Sequence, residues 1–538
     1  MKHLLKYFVK GIEKSFSGEE NEDFSLTANE EDGKRKVVIK AKTDLVLSSY
    51  AETGENLKTG KDDTLFFNGY QSWTDTKEFY PSEKEKDVKR LPKFLVDKFA
   101  FDRYGDATFY RYDKNALHGY DIFYLKGENG KFILNLNYKN AYLVFTYNKK
   151  DGSLTVSSDV ANKKLKTGEE FTLIDYAYSD GYDSGKRLID GYFPKKEVKK
   201  IFGYTSWYNY YQNVNEEILL RDLSALDGRF NLFQIDDGYE TFVGDWLSVD
   251  KTKFPNGLKP IADKAKEKGF TAGIWLAPFV AEEKSEVFRT HPEWFKKDAD
   301  GKPCKCGSNW SGFYALDLEN EEVRDYIRKC LTYYMDMGFD FFKLDFLYGA
   351  NLPVYEGKTR SEVAEFAYSF LREVLKNKLI LGCGATPFNA IDKFDYLRVG
   401  PDVSLEFDDV WFMRFMHRER ISTKVTLQNT IYRSIFDGRF FGNDPDVFLL
   451  RDDNIKLTEK QKDALLTINA LFGSVLMTSD NISSYDGKKK KKLENALELF
   501  KNGKVINYLR KGDGIEVVYE LGETKKFAYN TIKGEIYG

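Results

Sequence analysis

Cysteine and histidine are scarce in this chain of 538 residues. The cysteines (Cys304, Cys306, Cys330 and Cys383) are too few for the disulfide framework of a secreted protein. A single residue separates Cys304 from Cys306, which is not the spacing of a zinc knuckle, and the four histidines are scattered. The sequence therefore predicts no metal centre and no cofactor, and it favours a reducing compartment.

Long apolar runs and a surplus of charge of one sign are also missing. No stretch of 18 apolar residues occurs, so no membrane span is predicted. Lys6 and Lys10 interrupt the apolar residues at the start of the chain, so we expect no secretory leader and predict a cytoplasmic protein. The 82 basic and 85 acidic side chains leave a net charge of −3, which gives no reason to expect nucleic acid or a membrane as partner.

Hydrophobic residues make up 42% of the chain, and its length predicts two or three domains. Residues 1–195 contain β-branched and aromatic segments such as VVIKAK at 37 and KFILNLNY at 131, separated by clusters of Gly, Asn, Asp and Lys. This pattern predicts an N-terminal antiparallel β-sandwich domain built from strands and turns. We expect the segment GYFP at 191–194 and the lysines after it to form a linker.

The pattern changes near residue 200, where short apolar runs begin to alternate with helical stretches. The runs include FNLFQIDD at 230, FTAGIWLAPF at 270 and FDFFKLDF at 339, and one helix covers 320–337 with Gly338 as its C-cap. Repeated strand–helix units predict a (β/α)8 TIM barrel over 196–482, in a chain of the α/β class. Residues 483–538 predict a small C-terminal β domain, and we expect the lysine run at 488–492 to be a solvated loop.

Polar or aromatic residues follow the predicted barrel strands where these strands end, and chemistry in TIM barrels lies at those ends. They are Trp207, Asp236, Asp237, Trp275, Lys343, Asp345, Cys383, Arg398 and Asp402. Each has an ordinary alternative: the aspartates could be turn residues, and the tryptophans and the cysteine could be core. Independent turns and core residues should not all fall on strand ends of one barrel, so the set predicts a functional cavity.

Lys343 and Asp345 are two residues apart, so on a strand they point to the same face. Phe341, Phe342 and Phe346 surround them in the sequence. Burying two charges among these rings is costly unless the charges pair or face a polar cavity. The sequence leaves both a structural ion pair and a ligand pocket open here.

Many short motifs resemble glycoside hydrolase family 36, the bacterial α-galactosidases, over nearly the whole chain and most strongly from about 203 to 480. The matching stretches are NGYQSW at 68, TSWYNY at 205, FQIDDGYE at 233, GDWL at 244, GIWLAPF at 273, HPEW at 291, YALDL at 314, FFKLDFLYGA at 341, LGCGA at 381, RVGPD at 398 and NDPD at 443. The resemblance implies a retaining α-galactosidase that acts on small oligosaccharides such as melibiose or raffinose. A homo-oligomer is a further possibility.

The same resemblance implies roles for individual residues. Asp345, in the Lys-x-Asp motif, would be the nucleophile, and Asp402, in the Arg-x-x-x-Asp motif, the general acid/base. The substrate-binding residues would be Asp236 and Asp237 for the galactose hydroxyls O4 and O6, Lys343, Cys383 and Arg398 for the other side of the ring, and Trp73, Trp207 and Trp275 for the pocket walls. Thr205, where relatives often have Cys, and the segment SLEFDDVW after Asp402 depart from the family pattern and put the preference for the leaving group in question.

The implied chemistry suits these residue types. A retaining glycosidase places two carboxyl groups roughly 5–5.5 Å apart, one to attack the sugar and one to protonate the leaving oxygen. We expect Lys343 and Arg398 to keep Asp345 ionised, and its negative charge to favour a protonated Asp402 in the first step.

Four alternatives stay open. An α-N-acetylgalactosaminidase would need room at C2, and a galactosyl-transferring relative would need an acceptor site. A non-catalytic sugar-binding protein usually lacks one catalytic carboxylate, whereas both are present. A metal-dependent enzyme could use Asp236, Asp237 and Asp345 as ligands.

Overall fold

Two antiparallel sheets of seven strands each form the N-terminal part of the chain in this computed structural model, which describes residues 2–538. The strands are β1 (Lys2–Val9), β2 (Ile12–Phe16), β3 (Phe24–Glu31), β4 (Lys34–Ala41), β5 (Leu45–Asn56), β6 (Thr64–Phe67), β7 (Lys77–Phe79), β8 (Ala116–Tyr120), β9 (Ile122–Lys126), β10 (Lys131–Asn135), β11 (Leu143–Asn148), β12 (Ser153–Ser158), β13 (Lys164–Leu165) and β14 (Glu170–Asp180). One sheet has the order β2-β1-β5-β12-β11-β8, with β13 beside β5, and the other has the order β3-β4-β14-β10-β9-β6-β7.

Side-chain alternation explains how these strands build the sandwich. In β4, Val37, Ile39 and Ala41 are buried while the residues between them are more exposed, as expected when one sheet face meets the core. These three residues belong to a core of their own, separate from the barrel core. The predicted β-sandwich is confirmed.

The expectation of strands and turns alone is wrong for two segments of this region, because helices α1 (Lys93–Phe99) and α2 (Tyr182–Tyr192) lie within it. Helix α2 buries Gly185 and Ile189, which are one helical turn apart, and a Cβ at Gly185 would meet the ring of Phe132 at 2.1 Å. This packing extends the helix through residue 192, so half of the expected linker is helical.

Parallel strands form the predicted TIM barrel. The barrel strands are β15 (Ile201–Thr205), β16 (Leu232–Ile235), β17 (Thr271–Leu276), then β21 (Phe341–Leu344), β22 (Leu379–Gly382), β23 (Tyr396–Arg398), β24 (Gly442–Asp444), β25 (Val447–Phe448) and β26 (Val475–Thr478). Strand β24 pairs with β23 and β25 pairs with β26, which in turn pairs with β15. The seventh strand position is thus divided in two, and the ring closes with nine strands in sequence order. The (β/α)8 barrel is confirmed.

A small antiparallel sheet covers one side of the barrel mouth. It consists of β18 (Val280–Glu282), β19 (Lys305–Gly307) and β20 (Phe313–Ala315), in the order β18-β20-β19. The loop between β19 and β20 carries Trp310, whose backbone is left-handed with φ of 53°. The sheet therefore holds this loop over the ends of the barrel strands.

Helices surround the barrel. They are α3 (Trp207–Tyr210), α4 (Glu216–Ala225), α5 (Lys259–Glu267), α6 (Glu286–Thr290), α7 (Glu321–Met337), α8 (Arg360–Leu375), α9 (Trp411–Met416), α10 (Thr423–Tyr432) and α11 (Glu459–Phe472). Single turns of 3-10 helix occur at Val88–Arg90, Phe101–Arg103, Tyr211–Asn213, Pro292–Trp294, Leu347–Ala350, Arg433–Phe436 and Ile482–Ser484. Helix α7 ends at Gly338 with φ of 107°, which confirms the predicted C-cap. Within residues 2–538, no helix has the length and apolar character needed to cross a membrane.

The C-terminal part is a helix followed by a sheet. Helix α12 (Gly487–Asn502) precedes the antiparallel strands β27 (Lys504–Lys511), β28 (Gly514–Leu521), β29 (Glu523–Asn530) and β30 (Glu535–Tyr537). The expectation of a loop at 488–492 is wrong, because the lysines form the first turns of α12. Leu493, Leu497 and Phe500 recur at helical spacing and are buried, and Lys492 pairs with Asp463 on α11. The domain boundaries near 195 and 482 stay predictions.

The loop between β6 and β7, residues 68–76, leaves the sandwich and lies against the barrel; we call it the bridging loop. The buried guanidinium of Arg433 donates to the backbone carbonyls of Gly69, Gln71 and Ser72 and to the side chain of Asn68. The same guanidinium reaches the barrel carbonyl of Val399. These hydrogen bonds fix the bridging loop, and with it Trp73, at the barrel mouth.

Candidate active site

The C-terminal ends of the barrel strands surround a cavity of about 510 Å³. Eight of the ten predicted site residues line it: Trp73, Trp207, Asp236, Asp237, Trp275, Lys343, Asp345 and Asp402. The other two, Cys383 and Arg398, are fully buried and lie behind the wall. Residues from five strand ends and from the bridging loop therefore meet at one hollow.

Asp345 follows β21 directly and is held at both carboxylate oxygens. The indole N–H of Trp275 donates to Oδ2 at 3.0 Å, and the backbone N–H of Phe346 donates to Oδ1 at 2.8 Å. Phe346 has a left-handed backbone with φ of 52°, which turns the chain so that this N–H can reach back. Burial raises the pKa of Asp345, the charge of Lys343 opposes that rise, and Asp402 adds to it.

Asp402 is the more open of the two candidate catalytic carboxylates, with a side chain that is 30% exposed. Arg398 Nη1 donates to its Oδ1 at 3.0 Å. Arg398 also contacts Asp444 at 2.9 Å and Asp446 at 3.0 Å, from the divided seventh strand position. Within residues 2–538 Arg398 forms no ion pair with Asp345, and its charge is shared by three other aspartates.

Asp236 receives three hydrogen bonds on a single oxygen, Oδ2. They come from Lys343 Nζ at 2.8 Å, Thr205 Oγ1 at 2.9 Å and Gln234 Nε2 at 2.6 Å. Burial is the largest single influence and disfavours the charge of Lys343, but Asp236, with help from Asp345, leaves the lysine pKa raised. The buried ion pair left open by the sequence is thus between Lys343 and Asp236, and Asp345 is not its partner.

Asp237 has an oxygen without a partner. The indole N–H of Trp310 donates to Oδ2 at 2.9 Å, whereas Oδ1 is buried and makes no hydrogen bond within the described part of the chain. Burial raises the pKa of Asp237 and raises that of the neighbouring Glu240 still more. A buried acceptor without a donor costs free energy, so this oxygen marks a place where a ligand hydroxyl can bind.

Aromatic rings form much of the remaining wall. Trp73 donates its indole N–H to Cys383 Sγ at 3.2 Å and packs edge-to-face on Phe346, with ring centres 5.1 Å apart. Trp275 and Trp310 are also in edge-to-face contact. Flat apolar faces beside carboxylates are the usual composition of a sugar-binding cavity.

Several lining residues were not predicted from the sequence. They are Gln212, Asn309, Trp310, Asp409, His417, Glu419 and Arg420. Trp310 lies in a short loop with no recognisable motif, so only its place in the polar stretch SNWSG could have drawn attention to it. The NDPD motif at 443 was visible, but its contact with Arg398 depends on the divided strand. Residues 2–538 contain no group of three or more His, Cys, Asp or Glu side chains suited to hold a metal ion.

Comparison with known proteins gives consistent matches. The Melibiase family model matches residues 185–376. The α-galactosidase Mel36A from Lactobacillus acidophilus is 30% identical over 175 residues, which is 30% of this chain and 23% of Mel36A. An A type blood α-D-galactosamine galactosaminidase from Flavonifractor plautii is 35% identical over 126 residues, 21% of this chain and 11% of that protein.

Among solved structures, TtGalA, an α-galactosidase from Thermus thermophilus in complex with p-nitrophenyl α-D-galactopyranoside, shares the fold with a TM-score of 0.71. It is 24% identical, and the match covers 94% of this chain and 96% of that one. The matches to the curated relatives span between 11% and 27% of the length of those proteins. Together with the barrel, its cavity and the ordered motifs, these matches confirm the resemblance to glycoside hydrolase family 36, the melibiase family.

Proposed function

We propose that this protein is a retaining α-galactosidase, which releases terminal α-linked galactose from small oligosaccharides by double displacement. The observation that carries the proposal is that Asp345 and Asp402 line one sugar-sized cavity in different surroundings. Asp345 is fixed by two donors, while Asp402 is partly open to solvent. One carboxylate is thus suited to attack and the other to exchange protons with water.

In the first step Asp345 attacks the anomeric carbon while Asp402 protonates the departing oxygen. Hydrogen bonds from the Trp275 indole N–H and the Phe346 backbone N–H hold the attacking carboxylate in one orientation. Little orientational entropy is therefore lost when it attacks. In the second step a water molecule loses its proton to Asp402 and attacks the same carbon, which frees Asp345. The configuration at that carbon is inverted twice and therefore retained.

Arg398 lies beside Asp402, which must carry a proton when it acts as an acid. The aspartates of the NDPD segment, Asp444 and Asp446, balance the guanidinium. Burial raises the pKa of Asp446 to about 7, so its proton occupancy changes near neutral pH. We propose that these two aspartates take up the charge of Arg398, which leaves Asp402 to act as the acid.

Galactose selectivity would come from Asp236 and Asp237. Asp237 Oδ1 has no donor within residues 2–538, and the axial O4–H of galactose could supply one. Glucose, with an equatorial O4, would leave that buried oxygen unpaired, which is costly. Asp236, held by Lys343, would bind the neighbouring hydroxyl.

A second candidate function is the hydrolysis of α-N-acetylgalactosaminides or related amino sugars. The match to the Flavonifractor plautii galactosaminidase supports it. It requires space beside C2 for the larger substituent. Assaying p-nitrophenyl α-galactoside and its N-acetyl analogue side by side decides between the two functions.

The main test is hydrolysis of p-nitrophenyl α-galactoside, followed by proton NMR during the first minutes. Initial release of α-galactose supports the proposal, and initial release of β-galactose contradicts retention. The variant Asp345→Ala should show no turnover, and azide should restore reaction as the inverted β-galactosyl azide. Raffinose and melibiose should be cleaved by the unmodified protein.

We further propose a cytoplasmic location, supported by four cysteines that are all free and buried. Self-association stays a prediction that sedimentation analysis can test.

A further inference from the structure

A second cavity adjoins the active-site cavity. It has a volume of about 370 Å³ and shares Trp207, Asp402, Asp409 and Ile421 with the larger cavity. Because these four side chains line both, the two hollows meet at Asp402. We call the smaller one the side groove; its remaining lining is Tyr208, Tyr211, Val403, Ser404, Leu405, Glu406, Asp408 and Val410.

The position of the side groove relates it to the leaving group. A general acid must contact the oxygen that departs, so the leaving group lies beside Asp402. The side groove is lined by Asp402 and has no contribution from Asp345, Asp236 or Asp237. A substrate with its galactose between these three aspartates would thus extend its other end toward the side groove.

One wall of the side groove is aromatic. The rings of Trp207 and Tyr211 meet edge-to-face with centres 5.0 Å apart. Tyr211 has φ of 49° and ψ of −139°, a backbone conformation that a non-glycine residue adopts at a cost. That conformation ends helix α3 and sets the place of the Tyr211 side chain in the groove.

Much of the remaining lining of the side groove is acidic. Four carboxylates line the side groove, namely Asp402, Glu406, Asp408 and Asp409, and no Lys or Arg is among its lining residues. Asp408 pairs with Arg420 at 2.7 Å and lies 3.9 Å from Arg414, and Glu406 pairs with Lys456. Asp402 shares Arg398 with Asp444 and Asp446, and all four cations lie outside the lining. Asp409 makes no ion pair within residues 2–538, and although burial raises its pKa, the charges of Arg420 and Arg414 oppose that rise. A leaving group in the groove therefore meets carboxylates first, while the cations that pair with them lie behind the lining.

We propose that the side groove receives the leaving group of the substrate and that its carboxylates select neutral leaving groups against anionic ones. Sugars that carry phosphate, sulfate or a uronic acid carboxylate would be disfavoured at this position. The inference rests on the proposed α-galactosidase function and adds to it a substrate class. Two like charges about 8 Å apart in a largely aqueous groove repel enough to change a rate by about threefold, and several such charges multiply the effect.

The test compares two α-galactosides that differ in one charge. In m-carboxyphenyl α-galactoside the leaving group carries a carboxylate, and in its methyl ester the same position is neutral. We expect kcat/KM to be about tenfold higher for the ester at low ionic strength, with the ratio shrinking in 0.5 M salt because salt screens the repulsion. Equal values for the two compounds, with both hydrolysed, would overturn the inference and leave the proposed function standing.

Neutralising variants locate the effect. Glu406→Gln and Asp409→Asn should each lower the ester-to-carboxylate ratio by about threefold, and the double variant by more. Glu523→Gln, at a carboxylate on β29 that is 79% exposed, is the matched control and should leave the ratio unchanged. An unchanged ratio in the double variant, with its circular dichroism intact, contradicts the inference. Absence of hydrolysis of any α-galactoside by the unmodified protein would overturn both the proposed function and this inference.

Discussion

Asp345 and Asp402 differ in how much of their hydrogen-bonding capacity the protein already uses. Both oxygens of Asp345 accept a hydrogen bond from the protein, whereas only Oδ1 of Asp402 does so in the described part of the chain. A nucleophile gains from a fixed orientation, and an acid/base needs a free oxygen for the leaving group and later for water. The two proposed roles follow from this difference.

Removing the proposed acid should affect substrates unequally. We expect Asp402→Ala to lower kcat/KM for raffinose by about 10²–10⁴-fold, the usual contribution of a general acid. The loss should be much smaller for 2,4-dinitrophenyl α-galactoside, whose leaving group needs no proton. Steady-state kinetics on both substrates measure the difference, and the same loss on both would refute the role of Asp402.

The sequence predicted the candidate catalytic residues better than their partners. The motifs at Lys343–Asp345 and Arg398–Asp402 pointed to one cavity, and the structure brings both aspartates to it. The pairing of Lys343 on β21 with Asp236 at the end of β16 was not predicted, and strand β17 lies between these two strands. Such pairings depend on side-chain reach between elements far apart in the chain, which no local pattern encodes.

At the scale of elements, short-range signals were reliable where they have a local physical cause. Helix α7 ends at Gly338 because a residue with φ of 107° must be one that lacks a Cβ. Helices α2 and α12 were missed, since their formation depends on burial against neighbouring elements. For α12, pairing of Lys492 with Asp463 also compensates the charge of the lysine run.

The C-cap of α7 provides a test at this scale. We expect Gly338→Ala to lower the free energy of unfolding by roughly 1–2 kcal/mol, the cost of a left-handed backbone for a residue with a Cβ. Gly228→Ala is the control, because nothing lies within 4 Å of the added Cβ and its backbone is not left-handed. Urea unfolding of both variants measures the difference, and equal stabilities would contradict the role assigned to Gly338.

For the whole molecule, the bridging loop joins the sandwich to the barrel through buried polar contacts. Thr74 donates to Glu419 at 2.9 Å, and Arg433 donates to four residues of the loop. Burial lowers the pKa of Arg433 to about 9, although carbonyl groups surround it. Trp73 belongs to the same loop and lines the active-site cavity. A change that weakens the contact between loop and barrel should therefore also disturb the cavity wall.

Arg433→Lys tests that link. An ammonium has three donors for five acceptor contacts, so at least two buried acceptors lose their partner. We expect a loss of roughly 2–6 kcal/mol in stability and a lower kcat/KM through displacement of Trp73. Arg229→Lys, at an arginine paired with Asp227 near the surface, is the control. Unchanged melting and kinetics in Arg433→Lys would contradict the link.

The pH dependence of stability offers a separate test. Burial raises the pKa of Glu419 from 4.5 to about 7, and the charge of Arg418 only partly opposes this. Since the folded state holds this proton more tightly than the unfolded chain, the contribution of Glu419 to stability falls as pH rises from about 4.5 to about 7.

Glu419→Gln, which mimics the protonated form, should remove that decline. We therefore expect the variant to gain stability relative to the unmodified protein between pH 5 and pH 8, measured by urea unfolding at both values. Glu535→Gln, on the last strand of the C-terminal sheet, should show no such relative gain, because a hydrogen bond from Tyr537 lowers the pKa of Glu535 instead of raising it. A pH-independent difference between Glu419→Gln and the unmodified protein would contradict the assignment.

The contact between Trp73 and Cys383 spans 310 positions in the chain, which affects how the protein is made. At typical translation speeds of 5–20 residues per second, Cys383 leaves the ribosome roughly 15–60 s after Trp73. The sandwich strands can pair during that interval, while the bridging loop waits with its tryptophan uncovered. A ribosome-bound chain that stops short of Cys383 should therefore be inactive, and the loop is a place where a chaperone could hold the nascent protein.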